Sequence, residues 1–447
     1  MTRARRQLTP LGLFLFAALA SPQWASAQSA QRGIQAGNFV LHPGAFFAAG
    51  WDDNIFYEND TGAQQTENPD GAAVFKFGGS LEAENRNANK MKLQLGLGIN
   101  LRQYTGFEPN AETQAQRLQQ EDAVNARNGV ESGSIDGRLT LFPKNSVAFR
   151  LVERLRFSDT PALEVTVIGF EKLDNQIGGD VIFQPGSNPL ARALSMSLGY
   201  RLHTISFFDA SAINAGRAQM TTHKTRLLTR LKLFPKTTAL LDVQWSFADY
   251  GESFSGTDEA GNSVADPTRD GKPLTVQLGL QGLISRRIST NLRAGYANTF
   301  NDEGASYSGF VGLAEFQYKL QPSLAFTAGA EWNVSGSNFS NYVVQRGAYT
   351  ALDLYFQKVF VKTKLGYNIY DYSDSGRRAN VPSREDPILR ARAELGYNLQ
   401  SWMQVKVVWA FEDNATDFVS PTNAPVNEQD QAAYTRQLTM LQVEARY

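Results

Sequence analysis

The segment MKLQLGLGINLR, residues 91–102, alternates apolar and polar side chains at every position. The apolar set is Met91, Leu93, Leu95, Leu97, Ile99 and Leu101. The intervening set is Lys92, Gln94, Gly96, Gly98, Asn100 and Arg102. A β-strand places successive side chains on opposite faces, whereas a helix would scatter both sets around its circumference. The segment therefore predicts a strand with one apolar face and one polar face.

The same period of two recurs along the chain, for example in LTVQLGL (274–280), LRARAELGYNL (389–399) and MQVKVVWAF (403–411). One helical candidate, residues 111–127, lies between strands. The pattern predicts an all-β chain with strands at 39–51, 71–84, 91–105, 132–142, 146–157, 170–184, 191–207, 220–234, 238–250, 272–284, 288–300, 305–320, 323–335, 346–357, 359–372, 387–400, 402–412 and 433–447. Short turns alternate with long polar loops at 52–70, 106–131, 251–271, 373–386 and 413–432.

Alternating strands joined by short and long connections in turn are typical of outer-membrane barrels, which have short periplasmic turns and long extracellular loops. A secreted β-sandwich is the alternative, but it would divide the chain into domains of about 100 residues. No linker or domain break interrupts the pattern. We therefore predict a transmembrane antiparallel up-and-down β-barrel of about 18 strands (16–18), without a plug or a periplasmic domain. It would occupy residues 39–447, after a short periplasmic segment at 28–38.

Both ends of the chain fit export to the outer membrane of a Gram-negative bacterium. A basic start, an apolar run from Leu11 to Ala20 and the small residues Ala25-Ser26-Ala27 predict a signal peptide at 1–27. The C-terminal strand alternates as well, and its apolar positions are Leu441, Val443, Ala445 and Tyr447. This ending resembles the signal that the barrel insertion machinery recognises. Outer-membrane lipid and that machinery are the expected partners.

The composition excludes several chemistries. The chain has no cysteine, so disulfides and thiolate metal sites are unavailable. It has three histidines, and their spacing indicates no Ser-His-Asp set; no phosphate-binding glycine loop or metal motif is present. We therefore predict that the chain is not an enzyme, carries no cofactor and binds no nucleic acid.

If the apolar faces meet lipid, the alternate positions line the lumen. The predicted basic lining is Arg102, Arg138, Arg150, Arg154, Arg156, Arg201, Arg226, Arg230, Lys232, Arg293, Lys362, Lys364, Arg390, Arg392, Lys406, Arg436 and Arg446. The predicted acidic lining is shorter and consists of Asp136, Asp174, Asp180, Asp242, Glu315, Glu331, Asp353, Glu394, Glu412 and Glu444. Removal of the three signal-peptide arginines leaves 40 basic and 44 acidic side chains, so the mature chain is slightly acidic although its lumen is basic.

Two interpretations of the basic lining remain open. The cations could pair with the lumen acids or stay solvated. Alternatively, they form a positive track that attracts anions, with Arg150, Arg154, Arg156, Lys362, Lys364, Arg390 and Arg392 as its main candidates. Glu153 falls on the lipid face in this register, which predicts a β-bulge or an error of register nearby. Narrowing of the lumen is expected from loops folding inward, with 106–131 as the candidate.

The segment GWDDNIFYEND, residues 50–60, concentrates acids, amides and aromatic side chains. Asp52, Asp53 and Asn54 offer the oxygen ligands that Ca²⁺ prefers, which makes them a weak candidate metal site. The alternative, which we favour, places Trp51 at the outer membrane interface and residues 52–60 in the first extracellular loop.

The run FVLHPGAFFAAGWDDNIFYEND, residues 39–60, resembles the first strand of an outer-membrane β-barrel porin family linked to exopolysaccharide secretion. The resemblance implies an exit conduit for a secreted polysaccharide that works with periplasmic polysaccharide-export proteins. A general or anion-preferring diffusion porin for small anionic solutes is an alternative. A further alternative is a surface-binding barrel protein that acts through its extracellular loops.

Overall fold

The computed structural model describes residues 33–55, 57, 71–107, 113–159, 171–186, 192–208, 219–250, 255–257, 263–265, 270–337, 340–373, 384–417 and 433–447. The predicted signal peptide lies outside the described residues. So do the predicted loop positions 58–60. Within the described residues, no helix is long and apolar enough to span a bilayer.

Eighteen strands form the wall of one closed barrel. Their bounds are β2 Phe39–Asp52, β3 Ala72–Asn85, β4 Met91–Thr105, β5 Gly129–Leu141, β6 Val147–Ser158, β7 Lys172–Phe183, β8 Leu194–Phe207, β9 Met220–Phe234, β10 Thr237–Tyr250, β13 Leu274–Leu283, β14 Ile288–Asn298, β15 Ser308–Gln321, β16 Leu324–Gly336, β17 Tyr342–Phe356, β18 Val359–Tyr372, β19 Glu385–Gln400, β20 Met403–Asn414 and β21 Tyr434–Arg446. The short strand β1, Ile34–Ala36, pairs with the start of β2, and the short strands β11, Ser255–Thr257, and β12, Ser263–Ala265, pair with each other in a separate sheet. Among the described residues one helix, α1, spans Gln114–Ala126.

Each wall strand pairs antiparallel with its neighbour in sequence, and the first and last strands close the cylinder. The seam between β2 and β21 runs from Gly44 opposite Arg446 to Asp52 opposite Leu438. The predicted class and strand number are therefore confirmed, and α1 lies within the predicted helical segment. The described residues contain no plug domain. The short strands β1, β11 and β12 were not predicted, because three residues are too few to show a period.

The outer surface of the barrel is apolar. Large side chains such as Leu278 and Leu395 face outward and are 65% and 56% exposed. Water would penalise such a surface, whereas the hydrocarbon of a bilayer accepts it. The wall also satisfies its backbone hydrogen bonds through the closed ladder, as a membrane requires. The chain is a β-barrel of the Gram-negative outer membrane. The C-terminal residues Leu441, Val443 and Ala445 share this face with Val407, and their role as an insertion signal remains a prediction.

Glu153 does not mark a β-bulge. β6 pairs with β5 and with β7 in continuous register on both sides of this residue. Glu153 stands opposite Gly137 on the outer face. The predicted bulge and the predicted register error are therefore both wrong, because the β5–β6–β7 ladder keeps its register and the carboxylate stays on the lipid side.

Candidate functional site in the barrel lumen

One half of the inner wall carries a band of arginines that we call the arginine belt. Its members are Arg138 on β5, Arg150 on β6, Arg201 on β8, Arg226 and Arg230 on β9, and Arg293 on β14. Within the described residues, the carboxylates that pair with these arginines are Asp180 on β7 and Asp242 on β10. Six guanidinium groups against two carboxylates leave four net positive charges on this part of the wall.

Each aspartate of the belt is shared by two arginines. Arg201 Nη2 donates to both oxygens of Asp180, at 2.9 and 2.8 Å, and Arg150 Nη1 lies 3.8 Å from the same carboxylate. Arg226 donates to Asp242 through Nε at 2.7 Å and also through Nη2, while Arg293 Nη1 lies 3.6 Å from Asp242. Bidentate pairs of this kind fix the orientation of the guanidinium groups.

The remaining two belt members have no such partner. Arg138 and Arg230 form no ion pair with a carboxylate of the described residues, yet both are close enough to Arg150 to interact with its charge. Like charges held close together on a wall raise the local positive potential. The belt is therefore the strongest candidate for a site that acts on anions.

Glycines let these side chains lie flat against the wall. A Cβ at Gly178 would stand 2.7 Å from Cδ of Arg201, and a Cβ at Gly199 would stand 2.1 Å from Oδ1 of Asp180. Any larger residue would push the charged groups out of these positions. The inward glycines thus bring the Arg201–Asp180 pair close to the backbone and leave the lumen wider.

The opposite part of the wall, on β16 to β21, balances its charges. Arg390 donates to Glu412 at 3.0 and 3.1 Å, and Arg392 donates to Glu394 at 2.8 Å. Lys406 lies 3.2 Å from Glu444 and 4.0 Å from Glu394. These three cations are therefore neutralised locally by Glu412, Glu394 and Glu444, in contrast to the belt.

The other predicted lining residues take varied positions. Glu315 accepts a hydrogen bond from Tyr349, Glu331 accepts one from Gln345 at 2.5 Å, and Asp353 stands opposite Lys362. Near the outer end of β6, Arg154 pairs with Asp136 at 3.1 Å, and Arg156 stands opposite Asp174. The seven residues expected to form one track are thus divided. Three lie on β6, and Lys362, Lys364, Arg390 and Arg392 lie on β18 and β19, ten and eleven strands further round the eighteen-strand wall.

The helix α1 folds into the outer end of the lumen, in the segment expected to narrow it. A capping box starts the helix: Thr113 Oγ1 accepts from the Gln116 N–H at 3.3 Å, and the Gln116 side chain accepts from the Thr113 N–H at 3.0 Å. Val124 anchors it, packed in a buried cluster with Val74 and Tyr104 of the inner wall. The cluster contains Ile55 and Ala72 as well.

Arg102 holds the C-terminal end of α1. Its Nε and Nη2 donate to the carbonyl of Arg127 at 3.0 and 2.7 Å, which satisfies a helix-end acceptor with a cation. Nη2 also donates to Asp159 at 2.5 Å, and Nη1 lies 3.5 Å from Glu131. Burial raises the pKa of Asp159, because the loss of water disfavours its charged form. The side chain of Arg102 is only 3% exposed, so it forms a buried connection between the wall strand β4 and the loop that carries α1.

Removal of α1 should widen the channel. Eighteen strands about 4.8 Å apart and tilted by about 40° give a barrel radius of about 18 Å, and a helix is about 10 Å across. We expect replacement of Gln114–Ala126 by a short Gly-Ser linker to raise single-channel conductance roughly 1.5-fold.

Arg102→Ala, which frees the loop without removing it, should increase current noise. Lys92→Ala, on the inward face of the same strand, is the control, and an unchanged conductance on deletion would contradict the placement.

Asp52 lies inside the barrel and not in an extracellular loop. It is the last residue of β2 and is fully buried. Arg436 of β21 donates to its two oxygens at 2.8 and 2.6 Å, and the Tyr104 hydroxyl donates to it at 3.0 Å. The expectation that the loop begins at residue 52 was wrong, because the seam pairing extends through Asp52 and draws its side chain inward. Trp51 points outward and is 49% exposed, as expected at the interface.

The weak Ca²⁺ candidate at Asp52, Asp53 and Asn54 finds no support. Both oxygens of Asp52 are engaged by Arg436, and Asp53 accepts from the Gln437 N–H at 2.5 Å. Asn54 donates through Nδ2 to the Thr435 carbonyl at 2.9 Å. Across the described residues, no group of three or more His, Cys, Asp or Glu side chains could hold a metal ion.

Several lumen residues were not predicted. Lys76 and Glu131 form an ion pair at 2.6 Å beside Arg102, and Glu82 pairs with Arg446 at 2.8 Å. The period of two does place Lys76 and Glu82 on one face of β3, so this signal was available. Asp159 follows β6 directly, and no local pattern could have assigned it to Arg102.

The chain is therefore a closed, lipid-facing outer-membrane barrel whose interior is lined by charged side chains. Among solved structures, Pseudomonas aeruginosa OpdQ is similar at 10% identity and a TM-score of 0.44, with 92% of this chain and 97% of that chain covered. OccK2 (OpdF) of the same organism, solved in complex with glucuronate, has 11% identity and a TM-score of 0.46, with 91% and 98% covered. Acinetobacter baumannii OccAB4 has 10% identity and a TM-score of 0.42, with 91% and 98% covered.

No family model and no curated protein matches the chain. Identities near 10% and TM-scores below 0.5 are too low to support an inference about function.

Proposed function

We propose that the protein is a diffusion channel that favours anionic solutes. The observation that carries this function is the charge of the arginine belt, where six arginines surround two aspartates. A wide polar lumen admits small solutes in general, and fixed positive charge raises the local concentration of anions while it repels cations. The balanced wall opposite, where Arg390 and Arg392 each bond a glutamate, adds little net charge.

Liposome swelling tests this function directly. Solutes of similar size and different charge are compared: gluconate as the anion, glucose as the neutral solute and glucosamine as the cation. We expect gluconate to enter fastest and glucosamine slowest. Equal rates for all three would show a general pore without charge preference, and faster entry of glucosamine would overturn the proposal.

A second candidate is the exit conduit for a secreted polysaccharide, with periplasmic polysaccharide-export proteins as partners. The resemblance of residues 39–60 to porins linked to exopolysaccharide secretion supports it, and the absence of a plug in the described part of the chain agrees with it. An acidic polymer would meet the same belt. Deletion of the gene separates the candidates, because loss of secreted polymer with intact uptake of small anions favours export. Unchanged polymer secretion would remove this candidate.

A further inference from the structure

The balanced wall contains a recess of about 600 Å³ between β16 and β21, which we call the tyrosine recess. Its lining includes Gln345, Tyr349, Lys364, Asn368, Tyr370 and Arg392. Its volume lies within the range of small-molecule sites. It is separate from the arginine belt, whose residues lie on β5 to β14.

Four neutral hydrogen-bonding side chains, which we call the floor of the recess, lie among its charged ones: Gln345, Tyr349, Asn368 and Tyr370. The amides of Gln345 and Asn368 lie side by side, with Gln345 Nε2 3.4 Å from Asn368 Oδ1. Gly347 makes room for them, since a Cβ there would stand 2.1 Å from Asn368 Oδ1. Amides and phenols both donate and accept hydrogen bonds, which is the chemistry that hydroxyl groups require. The floor therefore suits a ligand with several hydroxyls.

The acids of the recess are already engaged. Glu331 accepts from Gln345 at 2.5 Å, and Glu412 accepts from Arg390 and, at 2.5 Å, from the Tyr434 hydroxyl. These bonds hold the carboxylates in place as oriented acceptors. Arg390 compensates the charge of Glu412, whereas Glu331 is bonded by a neutral amide and faces the Gln345 side of the recess, away from the Arg390–Glu412 pair.

One cation in the recess lacks a carboxylate partner. Lys364 Nζ lies 4.8 Å from the centre of the Tyr349 ring, and it forms no ion pair with a carboxylate of the described residues. Its neighbour across the β18–β19 pair is another cation, Arg392, which bonds Glu394. An anionic group would relieve this pair of like charges and gain a charge-assisted hydrogen bond.

We infer that the tyrosine recess binds a polyhydroxylated carboxylate of the sugar-acid type. Lys364 receives the carboxylate, and Gln345, Asn368 and Tyr370 bond the hydroxyls. The inference deepens the proposed function. It rests on that function in one respect, since the ligand must be able to enter the lumen as an anion. A carboxylate without hydroxyls would not form the hydrogen bonds to Gln345, Asn368 and Tyr370. A neutral sugar would leave Lys364 without an anionic partner.

Calorimetry on the detergent-solubilised full chain tests the inference, with block of single-channel current as a second readout. Galacturonate is the probe. Galactose lacks the carboxylate that Lys364 would bind, and propionate lacks the hydroxyls. We expect galacturonate to bind the wild type about tenfold or more tightly than either of them. Lys364→Gln should weaken galacturonate binding by a similar factor, and Asn368→Asp, which keeps the side-chain shape and adds repulsion, should do the same.

Lys232→Gln, a lumen lysine at the periplasmic end of β9, is the matched control and should bind galacturonate as the wild type does. Wild-type affinity in both Lys364→Gln and Asn368→Asp, or equal binding of propionate and galacturonate, would overturn the inference. Failure of the two proposals can be distinguished. A channel without anion preference that still binds galacturonate contradicts only the proposed function, and an anion-preferring channel that does not bind it contradicts only the recess.

Discussion

Replacement of Asp52 by alanine should strongly destabilise the closed barrel. The substitution leaves the guanidinium of Arg436 and the hydroxyl of Tyr104 without their acceptor inside the wall. Removal of one member of a buried ion pair costs about 3–5 kcal/mol, because the other charge stays buried and uncompensated. We therefore expect Asp52→Ala to lower the free energy of unfolding by about 3–5 kcal/mol in urea titrations in lipid vesicles. The folded band in unheated gel samples should weaken in parallel.

The other end of the same seam provides the control. Arg446 and Glu82 pair at 2.8 Å, but their side chains are 36% and 39% exposed. Exposed pairs contribute about 0–1 kcal/mol, so Glu82→Ala should have little effect. Asp52→Asn, which keeps one acceptor oxygen, should lie between the two. If Asp52→Ala unfolds no more easily than Glu82→Ala, the ion pair of Asp52 with Arg436 does not stabilise the β2–β21 seam as we expect.

Neutralisation of the four belt arginines other than Arg201 and Arg226 should abolish charge selectivity while the fold is retained. Glutamine at Arg138, Arg150, Arg230 and Arg293 leaves Arg201 on Asp180 and Arg226 on Asp242, so the net charge of the belt falls from four to zero. Fixed charges produce potentials of several kT at a surface, and their removal changes local ion concentrations several-fold. We expect the permeability ratio of chloride to potassium to fall several-fold, to about one.

A matched variant changes as many belt residues without changing the net charge. Replacement of Arg201 and Arg226 by glutamine and of Asp180 and Asp242 by asparagine removes two complete ion pairs. The belt keeps four positive charges, so this variant should retain the selectivity of the wild type. Equal loss of selectivity in both variants would mean that packing of the wall, and not its charge, sets the ion preference.

The barrel was predictable because its membrane environment imposes a strict period of two. β4 and β9 have the bounds that the alternation predicted, Met91–Thr105 and Met220–Phe234. A lipid-facing wall tolerates few polar residues on its outer face. The inner and outer faces of each strand can therefore be assigned from the sequence of that strand alone. Glu153 is such an exception, and the alternation alone led to the wrong expectation of a bulge.

The pairing of charges was not predictable in the same way, because it depends on contacts between distant parts of the chain. Asp52 and Arg436 are 384 positions apart and meet only when the seam closes. Arg293 reaches Asp242 across β13, where Gly279 leaves space for its side chain. Period two places each of these residues on the inner face, but it does not show which arginines keep an unmatched charge.

The zero-current potential of the wild-type channel in a planar bilayer under a potassium chloride gradient tests the central claim most directly. An anion-preferring lumen shifts this potential toward the equilibrium potential of chloride, and we expect that sign, with the shift shrinking as the salt concentration rises and screens the belt. A potential displaced toward the potassium value, or one that stays at zero even at low salt, would contradict the proposal that the arginine belt sets the selectivity of this channel.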